Sequence, residues 1–401
     1  MAFQEFTGTE YLKIDIAGSF GYDKQSWNDR IGWFDNNEHQ LHALVSQAEE
    51  PALFYAGVLA WDACKAGKPS GYPISLDATC SGVQILAALA CDRRAAEITN
   101  LVDTGKREDA YTSIYLDMVQ KIGGTAKISR KQTKAAVMTS FYGSRAQPKN
   151  VFGEGELLRL FYETVMDQAP GAWEINQEML AIWDPTALSN EWVLPDNFHV
   201  KIKVMGQVTE KVHFLNEPFD VDHRENMPIK GGRSLGANST HSIDGMVVRE
   251  MRRRCGYNFE RIQFLSKLLR VGANGRNTHR PNDELVIKLW DHYQASGFLS
   301  ARILDYLDVE NLALVKHVTI ENLIASLPKK PFETISVHDC WRCLPNYGND
   351  LRRQYNQIMH EIARSEMLSF VISQIVKRPI QAGKIDPSMA QDVLETNYAL
   401  S

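Results

Sequence analysis

The chain has 401 residues, of which 44% are hydrophobic and 23% charged, with 44 Lys and Arg against 49 Asp and Glu. This ordinary globular composition excludes disordered, collagen-like and mucin-like classes, and the length predicts two or three folding units. A net charge of −5 gives no general indication of a nucleic-acid partner, so a surface for one must be local.

The sequence shows no targeting or membrane signal. Its N-terminus lacks a basic region followed by an apolar core, and its apolar runs fall short of the ~20 residues that span a bilayer. We therefore predict a cytoplasmic protein without membrane association. Cys340 and Cys343 form a CxxC pair without a second pair at zinc-binding spacing, which favours two reduced thiols over a metal site.

The predicted elements of the first half mix strands and helices. Residues 11–16 alternate like a strand, and a second short strand ends at Asp77, where Thr79 and Ser81 can cap a long helix over 82–98. Further helices are predicted over 38–47, 51–66, 107–122 and 130–142, the last capped by Ser129, and then on to about residue 184.

The second half is predicted to be mostly helical around a few strands. Strand patterns occupy 192–214, and residues 215–239 are rich in loop signals. A β-hairpin is predicted over 335–344. The predicted helical stretches are 240–254, most of 256–330, and 348–377.

Three constellations carry candidate chemistry. In the first, Asp77 ends a strand and the turn Ala-Thr-Cys-Ser-Gly leads into a helix, which can hold a carboxylate in place for a metal ion. In the third, an apolar strand delivers His338 and Asp339 to a hairpin tip, and a second carboxylate is what two divalent cations need in phosphoryl transfer. Taken alone, the first is better explained as an Asp in an ordinary strand–helix turn, and the third is a weak signal because isolated His-Asp pairs are common.

The second constellation is a stripe of side chains along one helix. Arg130, Lys134, Met138 and Tyr142 recur every four residues, which places them along one face. Two cations near a helix N-terminus suit phosphates, and the thioether and the ring suit a base and a sugar. A solvated basic edge above a Met/Tyr core stripe is the alternative, although residues 121–134 contain no acid.

Taken in order, the three constellations resemble motifs A, B and C of the single-subunit, phage-type DNA-dependent RNA polymerases. The D-x-x-C-S-G-x-Q pattern from Asp77 is similar to the RNA-polymerase version rather than to that of family A DNA polymerases. Residues 192–196, 241–245 and 392–401 are similar to the family's W-V-T-P-D-G, H-S-x-D-G and aromatic foot.

The resemblance implies an α/β (α+β) fold of the polymerase right-hand type, with an antiparallel palm sheet and helical fingers but no N-terminal domain or thumb. It divides the chain into palm with motif A (1–125), fingers with motif B and the specificity-loop region (126–240), and palm with motif C and the foot (241–401). Residues from about 256 to 332 form a helical insertion relative to the family.

The resemblance also implies the activity: template-directed RNA synthesis by two-metal phosphoryl transfer. Asp77, Asp339 and the backbone carbonyl of Ala78 would hold two Mg²⁺ ions, and Lys134 would assist the leaving pyrophosphate. Tyr142 would help to choose ribonucleotides. The implied nucleotide-binding residues are Arg130, Lys134, Met138, Tyr142, Gly143 and His241, the last reading the minor groove of the nascent pair.

Three positions depart from the family pattern. Ala78 replaces a glycine, Ile85 replaces a histidine, and Cys340 replaces a small serine. Because both carboxylates and the basic stripe are present, we expect these changes to tune activity rather than abolish it.

The implied partners are a DNA template, nascent RNA and ribonucleoside triphosphates. Asp77 has only 76 residues before it, so a second polypeptide is expected to supply the N-terminal domain and thumb. This resembles the split two-subunit RNA polymerase of lytic podophages, with this chain as the larger, catalytic subunit in the cytoplasm of an infected bacterium. Acidic residues dominate 216–226, which predicts poor promoter recognition and a DNA-binding accessory factor.

Two other functions stay open on the sequence. One is a family A-like DNA polymerase, against which Tyr142 and the motif from Asp77 argue. The other is a non-catalytic, polymerase-like scaffold, against which the intact pair Asp77 and Asp339 argues.

Overall fold

The computed structural model describes residues 2–124, 126–215, 217–232, 234–271 and 280–401. Met1, residue 125 at the predicted palm–fingers boundary, Asn216 of the predicted acidic tip and 272–279 of the predicted insertion lie outside the described residues.

The described part of the chain is a mainly helical fold that contains three small antiparallel sheets. Its first half comprises α1 (Gly8–Ala17), α2 (Trp27–Asn37), α3 (Leu41–Leu44), α4 (Pro51–Lys65), β1 (Ile74–Asp77), α5 (Ser81–Ala90), α6 (Arg93–Ile98), α7 (Ala110–Ile122), α8 (Arg130–Ser140), α9 (Ala146–Phe152), α10 (Glu156–Gln168) and α11 (Pro170–Ala181). Its second half comprises β2 (Ser189–Val193), β3 (His199–Lys203), β4 (Met205–Phe214), β5 (Glu217–Asn226), α12 (Ser234–Cys255), α13 (Phe259–Val271), α14 (Pro281–Ser296), α15 (His317–Ala325), β6 (Ile335–Val337), β7 (Cys340–Cys343), α16 (Gly348–Arg364), α17 (Met367–Ile375) and α18 (Met389–Asp392). None of the described helices is both long and apolar enough to cross a membrane.

The main core forms around α5, whose ten residues are all buried. Helices α11, α12 and α16 pack against it, and α16 carries a strongly apolar stripe on its inner face. The central sheet has the order β1-β7-β6, and Trp341 of β7 is buried between this sheet and Tyr355 of α16. The sheet edge that carries Asp77 is thereby fixed on a rigid base.

A second hydrophobic core lies within the predicted insertion. It is built by α13, α14, α15 and the segment between α14 and α15. Leu265, Val286 and Ile320 are fully buried in it. The insertion is tied back to α12 by buried Glu250, which accepts hydrogen bonds from Ser300 Oγ and from the Ala301 amide at 2.9 Å. The sequence prediction of a largely helical 256–330 is confirmed for its described residues.

The predicted strand at 11–16 is wrong, because these residues belong to α1. Thr7 and Glu10 form a reciprocal capping box that starts this helix. The helix packs between two cores: Tyr11 and Ile14 face the main core, whereas Leu12 and Ile16 face a core of the N-terminal helices. Apolar residues on two sides of a helix imitate the alternation of a strand.

The single helix predicted over 82–98 is also wrong. Cys80, in a left-handed conformation with φ of 59°, precedes α5 without a side-chain cap, so neither Thr79 nor Ser81 caps it. Cys91 adopts φ of 49° and ends α5, and Asp92 then caps α6 by accepting from the Ala95 amide at 3.2 Å. The predicted helix over 348–377 similarly breaks into α16 and α17 at Ser365.

The loop-rich prediction for 215–239 missed a strand, β5. It pairs with β4 along the full length of both strands, with Val212 opposite Phe219 and Glu210 opposite Val221. Because both faces of this two-stranded ribbon are largely exposed, the sequence of β5 shows no burial alternation. We refer to β4 and β5 together as the ribbon.

Candidate active site

The two predicted metal-binding carboxylates are brought to the same end of the central sheet. Strands β1 and β7 are antiparallel with Asp77 opposite Cys340, and Asp339 lies in the turn that enters β7. The Ala78 amide donates to the Asp339 carbonyl at 3.1 Å, which fixes the two segments together. The predicted hairpin over 335–344 is therefore confirmed, and His338 at its tip adopts a left-handed φ of 55°.

The predicted foot, 392–401, lies against the other side of β1. The Asp77 amide donates to the Ser401 carbonyl at 3.3 Å, the Ser401 amide donates to the Asp77 carbonyl at 2.9 Å, and the Thr79 amide donates to the Ala399 carbonyl at 3.3 Å. These bonds hold Asp77 from both sides and do not use the carbonyl of Ala78.

The pair of carboxylates is electrostatically strained. Partial burial, followed by the charge of Asp339, raises the pKa of Asp77 to about 6. Asp244 on α12 behaves in the same way, because burial and then Asp339 raise its pKa to about 6. Asp244 belongs to the family-like motif at 241–245 but is not among the predicted site residues, although its place three residues after His241 was the available signal.

One testable consequence concerns pH. Because the pKa of Asp77 lies near 6, we expect Mg²⁺ affinity of the purified protein to fall about tenfold per pH unit below 6, as protons compete for the carboxylate. Without metal the sign is opposite, since protonation relieves the repulsion: the melting temperature in EDTA should fall as pH rises from about 4 to 6. Calorimetric Mg²⁺ titrations at pH 5, 6 and 7 test this, and an affinity that is flat over this range would contradict it.

Helix α8 presents the predicted cationic stripe. It starts as predicted at Ser129, which forms a capping box with Gln132. Arg130 is held against α7, because its Nε donates to Thr112 Oγ1 at 2.7 Å and its guanidinium pairs with Asp109. Lys134 lies 5.3 Å from the ring centroid of Tyr111 and has no ion pair among the described residues. Its charge is thus available to a ligand.

A single cleft of about 480 Å³ joins these groups. Six of the predicted site residues line it: Asp77, Ala78, Arg130, Lys134, Met138 and Asp339. Met138 is an apolar side chain that is 49% exposed in this polar cleft, which suits contact with a flat base.

The remaining predicted residues, Tyr142, Gly143 and His241, are not part of the cleft lining. Tyr142 follows the end of α8 and packs on His241, with ring centroids 4.6 Å apart. A Cβ atom added to Gly82 would come within 2.1 Å of the Tyr142 hydroxyl oxygen, so this glycine permits the ring to lie against α5. Gly143, in a left-handed conformation, lines a different cavity with Tyr162 and Trp173, and the structure does not bring it to the cleft.

Sequence reasoning missed several cleft residues because they belong to no motif with a chemical signature. Lys24 and Arg107 reach the cleft from connecting segments, and both charges act to lower the pKa of Asp77. Arg342 reaches it from β7, two residues beyond Cys340. The CxxC pattern drew attention to the two cysteines, which are both free, rather than to the arginine between them.

The residues present fit a site for divalent cations. Eight carboxylates and six cationic side chains line the cleft, so its lining is net negative without bound ions. No set of three or more His, Cys, Asp or Glu side chains that could hold a metal is found among the described residues. Magnesium characteristically uses one or two protein carboxylates and takes its other ligands from water and substrate phosphates. Asp77 and Asp339 match that donor set, and beside them the backbone carbonyl of Ala78 accepts no hydrogen bond from the described residues.

Comparisons with known proteins match the N-terminal part of the chain. Residues 4–150 match the model of a family described as DNA-dependent RNA polymerase. The matched stretch includes Asp77 and the whole of α8, whereas Asp339 and His241 lie outside it. The placement of Asp339 beside Asp77, and of His241 on the Tyr142 ring, rests on the geometry given above.

Individual relatives cover a similar share of the chain. A probable DNA-directed RNA polymerase of Neurospora crassa is 30% identical over 158 residues, which are 34% of this chain and 18% of that protein. The DNA-directed RNA polymerase of Pseudomonas phage phiKMV is 30% identical over 172 residues, 34% of this chain and 21% of that protein. A mitochondrial DNA-directed RNA polymerase of Neurospora crassa is 29% identical over 164 residues and 12% of its length. The chain thus spans about a fifth or less of these relatives.

Proposed function

We propose that this chain is the catalytic part of a DNA-directed RNA polymerase, a nucleotidyltransferase that copies a DNA template into RNA. The observation that carries the proposal is the cleft: it joins Asp77 and Asp339, from distant parts of the sequence, to the cationic stripe of α8. Phosphoryl transfer uses paired carboxylates that hold divalent metal ions, together with cationic side chains that contact the phosphates.

In the proposed reaction the RNA 3′-hydroxyl loses its proton to solvent and its oxygen attacks the α-phosphate of a ribonucleoside triphosphate. The new phosphodiester bond forms as the in-line bond from the α-phosphorus to the departing pyrophosphate breaks. Arg130, anchored by Asp109 and Thr112, orients the phosphates. Lys134 stabilises the charge that develops on the pyrophosphate and can give it a proton. Two Mg²⁺ ions held by Asp77, Asp339 and the Ala78 carbonyl would supply neutralisation of the attacking and leaving oxygens.

The nucleoside is proposed to lie along Met138 and Tyr142. The exposed thioether of Met138 supports the base, and the hydroxyl of Tyr142, held against Gly82, faces the sugar. His241, packed on the Tyr142 ring, extends this surface toward the nascent pair. The division into palm (1–125 and 241–401) and fingers (126–240) of a right-hand fold belongs to the same proposal.

The choice of sugar separates this proposal from a family A-like DNA polymerase. With matched rNTP and dNTP on a primed DNA template, the wild-type protein should prefer the ribonucleotide. Tyr142→Phe should reduce that preference by about tenfold, because one hydrogen bond to the sugar is lost. His213→Phe, on the polar face of the ribbon, is the control and should leave it unchanged. A wild-type preference for dNTP would support the DNA polymerase instead.

A second polypeptide is proposed to complete the enzyme, as in the split polymerases of lytic podophages. The ribbon supports this idea, because its cross-strand pairs place Val212, Phe214, Phe219 and Val221 on one face. Phe214 and Phe219 are 64% and 50% exposed, so this face is not covered by the described part of the chain. An uncovered apolar face of this kind is typical of a protein interface.

The ribbon as a whole is a poor surface for duplex DNA. The described ribbon carries five carboxylates against one lysine and one arginine. We therefore propose weak promoter recognition by the chain itself, and a DNA-binding accessory factor that supplies it. Efficient specific initiation by the purified protein on linear duplex DNA would contradict this part.

Replacing the exposed phenylalanines of the ribbon with serine tests whether a second polypeptide binds this apolar face. Phe214→Ser combined with Phe219→Ser should leave the fold intact, since both side chains are exposed, but should release the second polypeptide during co-purification. His213→Ser changes the opposite face of β4 and should retain it. Full retention of a partner by the double variant, or recovery of the wild type alone from its native source, would argue against the proposed interface.

A further inference from the structure

Arg342 lines the cleft, but the proposed reaction assigns no ligand to this cation. In β7 it stands opposite Ser75 of β1, just as Cys340 stands opposite Asp77. Directly opposite residues share a face of a sheet, so Arg342 lies on the same face as Asp77. Trp341 and Cys343 alternate with it and are buried in the core. The arginine is therefore built into the rigid floor of the cleft.

Four of the five other cleft cations are already engaged. Lys24 pairs with Asp23, and Arg130 pairs with Asp109. The remaining ones bind oxygen atoms of the chain itself: Arg30 donates to the backbone carbonyls of Asp23 and Gln25, and Arg107 donates through Nε to Ser401 Oγ at 3.1 Å. Lys134 is free, but the proposed reaction assigns it to the pyrophosphate.

Arg342 differs from these because its guanidinium lacks an anionic partner. Its side chain contacts the Cys340 thiol, which is uncharged because burial raises its pKa to about 11. Its Nε is buried without a hydrogen-bond partner, and Arg342 forms no ion pair within the described part of the chain. Asp15, a half-buried carboxylate of the same cleft on which the charge of Arg342 acts, is satisfied elsewhere: it accepts from the Tyr72 hydroxyl at 2.6 Å and from the Ser75 amide at 2.7 Å. A buried donor without a partner is costly unless a ligand supplies the acceptor.

We propose that Arg342 binds a backbone phosphate of the growing RNA, namely the phosphodiester that carries its 3′-terminal nucleotide. This inference rests on the proposed function and deepens it. In an in-line displacement the attacking and leaving oxygens lie on opposite sides of the reacting phosphate. The pyrophosphate side is assigned to α8, whose Arg130 is anchored on α7, whereas Arg342 lies on the sheet floor beside the carboxylates. A planar guanidinium there holds the RNA end so that its 3′-hydroxyl faces the α-phosphate.

The test removes one charge at a time: the negative charge of the RNA phosphodiester, or the positive charge of Arg342. An RNA primer annealed to a DNA template is prepared with its 3′-terminal phosphodiester either normal or as a neutral methylphosphonate. Binding to the full-length protein, with any polypeptide that co-purifies, is measured by fluorescence anisotropy. The wild type should bind the methylphosphonate primer about tenfold more weakly. Arg342→Gln should bind both primers equally, at that weaker level.

Two controls make the result specific. Arg159→Gln changes an exposed arginine outside the cleft and should behave as the wild type. In single-nucleotide extension, Arg342→Gln should leave the KM for the incoming nucleotide within about twofold, because the triphosphate contacts another wall.

Three results would overturn the inference. The first is an undiminished methylphosphonate effect in Arg342→Gln, and the second is a large rise in its nucleotide KM with normal primer binding, which would assign Arg342 to the triphosphate. The third is a lowered melting temperature with no effect on either primer, which would assign it to Asp15 and to the fold. Because the binding arm needs no turnover, a protein that binds as expected but fails to extend the primer would refute the proposed function and not this contact.

Discussion

Asp339→Asn is expected to abolish RNA synthesis, lowering the rate by at least about 10³-fold, because the remaining carboxylate cannot hold both divalent cations. The variant should nevertheless fold well. Asp339 repels Asp77 and raises its pKa, so neutralising it relieves a repulsion. We therefore expect a melting temperature in EDTA that equals or exceeds that of the wild type.

Together, lost activity and retained stability distinguish a catalytic carboxylate from a structural one. Asp35→Asn is the matched control, because Asp35 is an exposed partner of Lys13 away from the cleft and its loss should leave activity unchanged. Full activity in Asp339→Asn would make the site assignment wrong and would favour the non-catalytic scaffold.

Lys134→Ala should lower kcat/KM for the incoming nucleotide by about 10² to 10³-fold. Lys134 is a cleft cation without an ion pair in the described structure, so its whole charge acts on the ligand. Most of the loss should appear in kcat, since the charge on the pyrophosphate develops in the transition state. Steady-state kinetics on a primed template measure both constants.

Lys131→Ala provides the control for Lys134→Ala on the same helix. Lys131 is exposed and does not line the cleft, so its removal tests general loss of positive charge on α8. Equal losses in the two variants would mean that α8 acts only as a basic surface, which is the alternative that the sequence left open.

The sequence predicted best where a residue's chemistry and its local structure coincide. The capping of α8 by Ser129, the hairpin that carries Asp339 and the strand end at Asp77 each depend on short-range signals, and each is confirmed. Residue spacing also predicted the stripe, and the cleft contains three of its four members, Arg130, Lys134 and Met138, together with Asp77, Ala78 and Asp339.

What the sequence could not provide depends on tertiary contacts. Helix α1 looked like a strand because it lies between two cores, and β5 looked like a loop because nothing covers it. Arg342 carries no motif, and only the register of β1 against β7 shows that it shares a face with Asp77. Gly143 was assigned to the nucleotide by its position beside Tyr142, but its backbone turns it toward another cavity.

Templated extension tests the central claim most directly. The purified protein, with any co-purifying polypeptide, is given Mg²⁺, an RNA primer and four DNA templates that differ only in the next base. We predict that each template directs addition of its complementary ribonucleotide, and that EDTA abolishes all four additions. Extension that ignores the template base, or no extension by a protein that binds the primed template, would contradict the assignment as a DNA-directed RNA polymerase.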